Sequence, residues 1–309
     1  MRIDEIIARN EEPVFSFEFF PPKSDEGERN LRAALEALAP LQPDFASVTY
    51  GAGGSTRDRT LEVVASLKLD LGIEAMAHLT CVGASVEELR GVLDRLAASG
   101  IENVLALRGD PPAGDTDWTP HPGGLHYSTE LASLIAEHRP EVSVGAACFP
   151  EVHPEAVDLA HDLHFLKAKV QAGASFLITQ VFFDNELYFN FVEEARAAGI
   201  DVPILPGIMP ITNVSLIKKI TGMCGATIPP ALLSQLDLRV DDPDAVVELG
   251  VSYATLQCAE LLARGAPGIH FYTLNRSPAT RAILSALKLL RPWAGRLAVG
   301  SGAEGQSTA

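Results

Sequence analysis

The sequence predicts a (β/α)8 barrel built as a single domain. Three observations carry that prediction. Eight short runs rich in β-branched and aromatic residues recur along the chain, and a longer amphipathic stretch follows each one. Eight such units in about 290 residues match one barrel. The rival architecture, an open doubly wound sheet, calls for a G-x-G-x-x-G loop after its first strand, and Phe19-Phe20-Pro21-Pro22 stands there instead.

The first run, VFSFEFF (14–20), leads into NLRAALEALAP, and the second, FASVTY (45–50), into TLEVVASLKLD. The third, EAMAHLT (74–80), precedes a helix with sharp ends. Ser85 and Glu88 have the spacing of a capping box, and Gly100 closes the stretch. The fourth, ENVLALRG (102–109), precedes STELASLIAEH. The fifth, sixth and seventh are VSVGAACF (142–149), SFLITQVFF (175–183) and VPILPGI (202–208). A gap of about 45 residues separates the helix after the seventh run from the eighth, GIHFYTLN (268–275), so extra helices are expected between strands seven and eight. IPPALLSQLD is one candidate, and Asp242-Pro243 begins a long helical stretch that Gly265 ends. The barrel is expected over 1–293, with the Gly/Ser/Ala-rich stretch 294–309 as a disordered tail.

Composition narrows the function. The net charge is −16, so the surface repels a phosphate backbone or anionic headgroups, and neither nucleic acid nor a membrane is expected as partner. A small anionic ligand needs a locally basic pocket. Cys81, Cys148, Cys224 and Cys258 lie far apart without metal or redox spacing and read as buried, reduced thiols. The start, MRIDEIIARNEEP, lacks the apolar region of a secretory signal, and no run of about 18 apolar residues occurs, so a cytoplasmic protein is expected. His161 and His164 have no carboxylate at ligand spacing, and no metal site is expected.

In a barrel of this kind the chemistry sits at the C-terminal strand ends. Those ends collect Glu18, Thr49, His78, Arg108 with Asp110, Gln180, and Asn275 with Arg276. Glu18 shares its strand face with Ser16. If that face is interior, ionising the carboxylate is costly, which suits a general acid; if not, Glu18 is a rim carboxylate satisfied by a neighbour. The loop Gly51–Thr56 either lets backbone approach a phosphate or flat ring, or is a tight turn. Arg108-Gly109-Asp110 is either a ligand contact or a rim salt bridge, and His78 taken alone reads as a core histidine. His153 suits a phosphate contact or a helix cap, and Lys169, on a helix, has the reach for a pyrophosphate. Phe182, Phe183, Tyr188, Phe189 and Phe191 read mostly as core.

Taken together, these strand-end segments resemble the methylenetetrahydrofolate reductase family, in its bacterial, single-domain, flavin-dependent form. The matching segments are FSFEFFPPK (15–23), VTYGAGG (48–54), AHLT (77–80), LRGDPP (107–112), PEVHP (150–154), ITQ (178–180), LPGI (205–208) and HFYTLNR (270–276). They occur in the family's order and cover roughly 13–290. The resemblance implies a (β/α)8 barrel that reduces 5,10-methylenetetrahydrofolate to 5-methyltetrahydrofolate for methionine synthesis. FAD would shuttle hydride from NADH or NADPH in ping-pong fashion. It implies Glu18 as general acid, Asp110 beside the flavin, and Gln180 and Arg276 on the folate. Thr49, Tyr50, Ala52, His78, Arg108, Gly109, Tyr127, Ser128, His153, Asp162 and Lys169 would hold FAD. Phe149 stands where some relatives have tyrosine. Partners would be small molecules, with homo-oligomerisation left open, and no S-adenosylmethionine-binding extension is expected after the barrel. The alternatives are a flavin-free barrel lyase or aldolase using Glu18 and a lysine, a catalytically inactive flavin or folate store, and, nearer, a flavin-independent reductase that keeps the fold while the FAD contacts drift; a flavin spectrum and turnover with NADH separate them.

Overall fold

The computed structural model describes residues 1–9, 11–50, 57–109 and 120–295. The first part of the chain alternates strand and helix: α1 (Ile3–Arg9), β1 (Val14–Phe19), α2 (Asp25–Leu38), β2 (Phe45–Val48), α3 (Arg57–Leu69), β3 (Ala75–Thr80) and α4 (Val86–Ala98). Then come β4 (Asn103–Leu107), α5 (Ser128–His138), β5 (Ser143–Cys148), α6 (Leu159–Gln171), β6 (Ala174–Thr179) and α7 (Asn185–Ala197). The last part holds β7 (Ile204–Leu205), β8 (Gly207–Ile208), α8 (Val214–Cys224), α9 (Pro230–Asp237), α10 (Pro243–Ala263), β9 (Gly268–Tyr272) and α11 (Pro278–Leu290).

Among the described residues all the pairings between these strands are parallel, and the sheet runs β7-β6-β5-β4-β3-β2-β1-β9-β8. Its two ends, β7 and β8, are halves of the single predicted run 202–208, so the sheet closes on itself as the expected (β/α)8 barrel. The break falls at Pro206, which has no N–H to give a ladder. Its carbonyl still accepts from His270 N at 3.0 Å, and Pro203 O accepts from Leu177 N at 2.8 Å. The sixth strand ends at Thr179 rather than at 183; Val181, Phe182 and Phe183 instead turn into the packed wall.

Period-2 alternation sorts the strands into two cores. Outward residues such as Phe17, Ala46, Ala77 and Leu177 pack under the helices. Inward residues Phe45, Met76, Leu105, Phe176, Ile178 and Leu205 join Ile3 and Ile6 of α1 in a separate cluster. Helix α1 therefore plugs the N-terminal end of the barrel, anchored where Asn103 Oδ1 accepts from Ile3 N at 2.8 Å. The C-terminal half of the interior is polar instead: Ser16, Glu18, Ser47, His78, Thr80 and His270 are all buried.

Local signals hold where they were legible. Ser85 and Glu88 form both halves of a capping box, and Gly100 has φ +72° after the helix. Asp242 caps α10 by accepting from Ala245 N at 3.1 Å. The expected extra helices between the seventh and eighth strand runs are α9 and α10. Helix α10 is by length and composition long and apolar enough to cross a bilayer, but here it lies in the barrel wall with Val246, Gly250, Ala254, Cys258 and Leu261 buried. Of the four cysteines three are buried, whereas Cys224 is half-buried at the end of α8.

Candidate active site

Glu18 faces the barrel interior near the C-terminal end of β1 and is only 6% exposed. Its Oε2 lies 3.4 Å from His78 Nε2 on β3 and 3.6 Å from His270 Nε2 on β9. Burial pushes the His78 imidazole down to about 4, against the pull of Glu18, so His78 is neutral at pH 7. Tyr272, opposite Glu18 in the β1–β9 register, is half-buried, and desolvation of its phenol together with the neighbouring carboxyl holds that phenol well above its ordinary range. Its hydroxyl donates to Thr179 O at 2.6 Å.

Above Glu18 opens a cavity of about 480 Å³ lined by Glu18, Thr49, Tyr50, His78, Gly109 and Gln180, among others. Tyr50 is held by Arg57, whose Nε donates to the phenol oxygen at 2.5 Å. Gln180 Oε1 accepts from Val181 N at 2.8 Å. Gly109 has φ +88°, and a Cβ there would sit 2.7 Å from Val82 Cγ1 and 2.9 Å from Thr80 Cβ, so only glycine fits this wall.

A second cleft of about 370 Å³ adjoins the first, with Arg108 on one side of the β4 end and Gly109 on the other. Arg108, Tyr127, Ser128, His153, Asp162 and Lys169 line it. Arg108 forms a two-pronged pair with Glu155 at 2.6 and 2.7 Å. Lys169 makes no salt bridge within the described residues; its Nζ donates to Ala147 O at 3.1 Å, and burial lowers its affinity for the proton although Asp162 opposes this. Asp162 Oδ2 accepts from His153 N at 2.9 Å, and burial lowers the His153 imidazole.

The structure thus gathers twelve of the fifteen sequence-predicted site residues into two adjoining cavities. Ala52 and Asp110 lie outside the described residues. Arg276 lines neither cavity: it is exposed in the loop after β9, its N–H donating to Thr273 O at 2.9 Å. His161 and His164 are exposed on α6, and among the described residues no His, Cys, Asp and Glu group is placed to hold a metal ion. Two other clefts of about 460 and 590 Å³ lie away from the strand ends, and their charges pair with one another, as in Arg59–Glu28 and Arg291–Glu12. Ser16 and His270 had no role assigned from the sequence. The signal was present, since alternation along HFY (270–272) puts His270 and Tyr272 on one face, as it does Ser16 and Glu18.

Fold and site together define a barrel protein with a carboxyl set between two imidazoles in its C-terminal mouth and, beside it, a cleft that holds Arg108 and Lys169 together with Glu155 and Asp162. A family model described as methylenetetrahydrofolate reductase matches residues 2–288. The chain is 40% identical to the 5,10-methylenetetrahydrofolate reductase of Escherichia coli, over 88% of this chain and 90% of that protein. It is 37% identical to methylenetetrahydrofolate reductase (NADH) 1 of Arabidopsis thaliana over 93% of this chain, and spans 51% of that longer relative. The chain belongs to the methylenetetrahydrofolate reductase family. Among solved structures, a Clostridium thermocellum protein that binds two copies of 5-methyl-5,6,7,8-tetrahydrofolic acid shares the fold, with TM-score 0.65, 18% identity, and coverage of 94% of this chain and 98% of that one.

Proposed function

We propose that this protein reduces 5,10-methylenetetrahydrofolate to 5-methyltetrahydrofolate, with NADH or NADPH as reductant and FAD as resident cofactor. The observation that carries the proposal is Glu18: a buried carboxyl at the floor of the barrel mouth, in a chain of this family. Breaking the methylene bridge of the folate needs a proton on the departing nitrogen, and a carboxylic acid at that floor is positioned to give it.

The residues present fit FAD. Lys169, which makes no salt bridge among the described residues, and Arg108, if it exchanges Glu155 for the ligand, would supply the positive charge a pyrophosphate requires. Gly109, whose Cβ position is taken by Val82 and Thr80, keeps the wall at the end of β4 packed between the two cavities. Tyr127, Ser128, His153 and Asp162 would complete the grip on the nucleotide, with Thr49, Tyr50 and His78 at the mouth. When bound, the flavin would carry hydride between nicotinamide and folate. Gln180 lines the mouth where the folate would rest, and Arg276 on the rim would meet its acidic tail. Asp110 would sit beside the flavin. His78 stays neutral at pH 7 and adds no charge beside Glu18. A single mouth suits use by the two substrates in turn.

The test is direct. Purified protein should show a flavin absorbance spectrum and, with NADH or NADPH and methylenetetrahydrofolate, form 5-methyltetrahydrofolate detectable by mass spectrometry. Protein reconstituted with FAD that forms no such product contradicts the proposal.

A further inference from the structure

His270 is fully buried, yet both of its ring nitrogens face polar groups on β1. The β1–β9 register sets Ser16 opposite His270 and Glu18 opposite Tyr272. Nδ1 of His270 lies 2.8 Å from Ser16 Oγ, and Nε2 lies 3.6 Å from Glu18 Oε2. Phe45 stacks on the ring at 6.1 Å and Tyr272 meets its edge at 5.4 Å, so the plane of the imidazole is fixed. The ionisable groups around the ring are Glu18, His78 across the same oxygen, and Tyr272, whose hydroxyl is committed to Thr179 O.

The tautomer follows from counting donors. Ser16 is fully buried, and within the described residues its hydroxyl has His270 Nδ1 as its hydrogen-bond partner. If the hydroxyl donates to Nδ1, its hydrogen is satisfied, and the ring proton sits on Nε2, facing the nearest acceptor, Glu18 Oε2. The opposite tautomer strands the serine hydrogen and points an imidazole lone pair at a carboxyl oxygen. We propose that Ser16 and His270 form a positioning pair that fixes which oxygen of Glu18 carries the proton. Ser16 O–H donates to Nδ1; Nε2–H points at Oε2; the acid proton is left to Oε1. At 3.6 Å the Nε2–Oε2 contact is an approach and not a formed hydrogen bond. This rests on the reading of Glu18 as general acid.

The measurement is the tautomer of His270 in the 15N-labelled holoenzyme, from long-range 1H–15N correlation between pH 6 and 8, assigned by its loss in His270→Gln. The expected result is the Nε2–H form, with that preference lost in Ser16→Ala; an Nδ1–H form in the unaltered protein overturns the proposal. Kinetics add a second arm. Glutamine can place an amide donor near the Nε2 position without help from serine. Ser16→Ala should therefore slow the folate-dependent step by about 3- to 10-fold and shift its pH profile. It should not slow the NADH-dependent step, and it should add nothing in the His270→Gln background. An equal cost of Ser16→Ala in both backgrounds overturns the pairing. The two readings fail separately. If Glu18→Gln abolishes the folate step while Ser16→Ala and His270→Gln leave its rate and pH profile unchanged, the positioning pair fails and the general acid stands. If Glu18→Gln leaves that step intact, the general acid fails and the pair's role falls with it.

Discussion

The side-chain amide of Asn275 satisfies both backbone groups of Phe20: Oδ1 accepts from Phe20 N at 2.8 Å, and Nδ2 donates to Phe20 O at 2.9 Å. Two residues before Asn275, Thr273 Oγ1 donates to Glu18 O at 2.6 Å and accepts from Asn275 N at 3.2 Å. The loop after β9 thus holds the end of β1, including the backbone of Glu18. To do so Leu274 and Asn275 adopt left-handed φ values of 52° and 56°, a conformation asparagine tolerates better than most residues.

Asn275→Ala removes two hydrogen bonds and places a less tolerant residue at positive φ. The expected loss of stability is about 1–3 kcal/mol, read from urea unfolding. The same variant should lower the rate of the folate step more than flavin affinity, because the clamp lies on the Glu18 side of the mouth. A loss confined to flavin binding would place the clamp's influence elsewhere.

Lys169→Ala tests the cleft beside the barrel mouth as the pyrophosphate site. Each charge-assisted contact to a pyrophosphate contributes roughly 1.5–3 kcal/mol, so flavin affinity should fall about 10- to 150-fold, read as flavin released on dilution. Far-ultraviolet circular dichroism should be unchanged, since among the described residues the lysine amine's one hydrogen bond is to the Ala147 carbonyl. Unaltered retention would remove Lys169 from the cofactor site.

Much of this was legible in the sequence, for identifiable reasons. A barrel repeats one local pattern, so the strand runs and the capping signals at Ser85 and Asp242 locate the units without long-range information. Strand polarity places Glu18, His78 and Gln180 at one end for the same reason. What escaped depends on contacts between distant segments. Nothing local marks α1 as a plug, because Ile3 and Ile6 meet Phe176 and Leu205 only after closure. The split at Pro206 follows from two neighbours pairing with opposite halves of one short run. The Ser16–His270 contact joins residues 254 apart in the chain, and only the register of β1 against β9 reveals it. Arg276 sits at a strand end as its motif implies, but the left-handed turn before it carries it to the rim.

His78 makes stability depend on pH in a defined direction. Its folded value is about 4, against an ordinary 6.5, so between those values the unfolded chain binds more protons than the folded one. Stability therefore rises with pH across that window. Going from pH 7 to pH 5 should cost about 2 kcal/mol from this group, and His78→Gln should lose that part of the dependence in urea unfolding at the two pH values. An unchanged dependence in the variant would show that His78 takes up its proton as readily in the fold as in the unfolded chain.

The most direct test is Glu18→Gln followed by stopped-flow absorbance of the bound flavin, first with NADH alone and then with methylenetetrahydrofolate. Glutamine keeps the size of the side chain but has no carboxylic proton to give. Bleaching by NADH needs no such proton and should stay near the rate of the unaltered protein. Recovery of absorbance on adding the folate should slow about 10²- to 10⁴-fold, equivalent to roughly 2.7–5.4 kcal/mol of barrier. If recovery keeps its rate, or if both phases slow equally, Glu18 is not the acid that opens the folate.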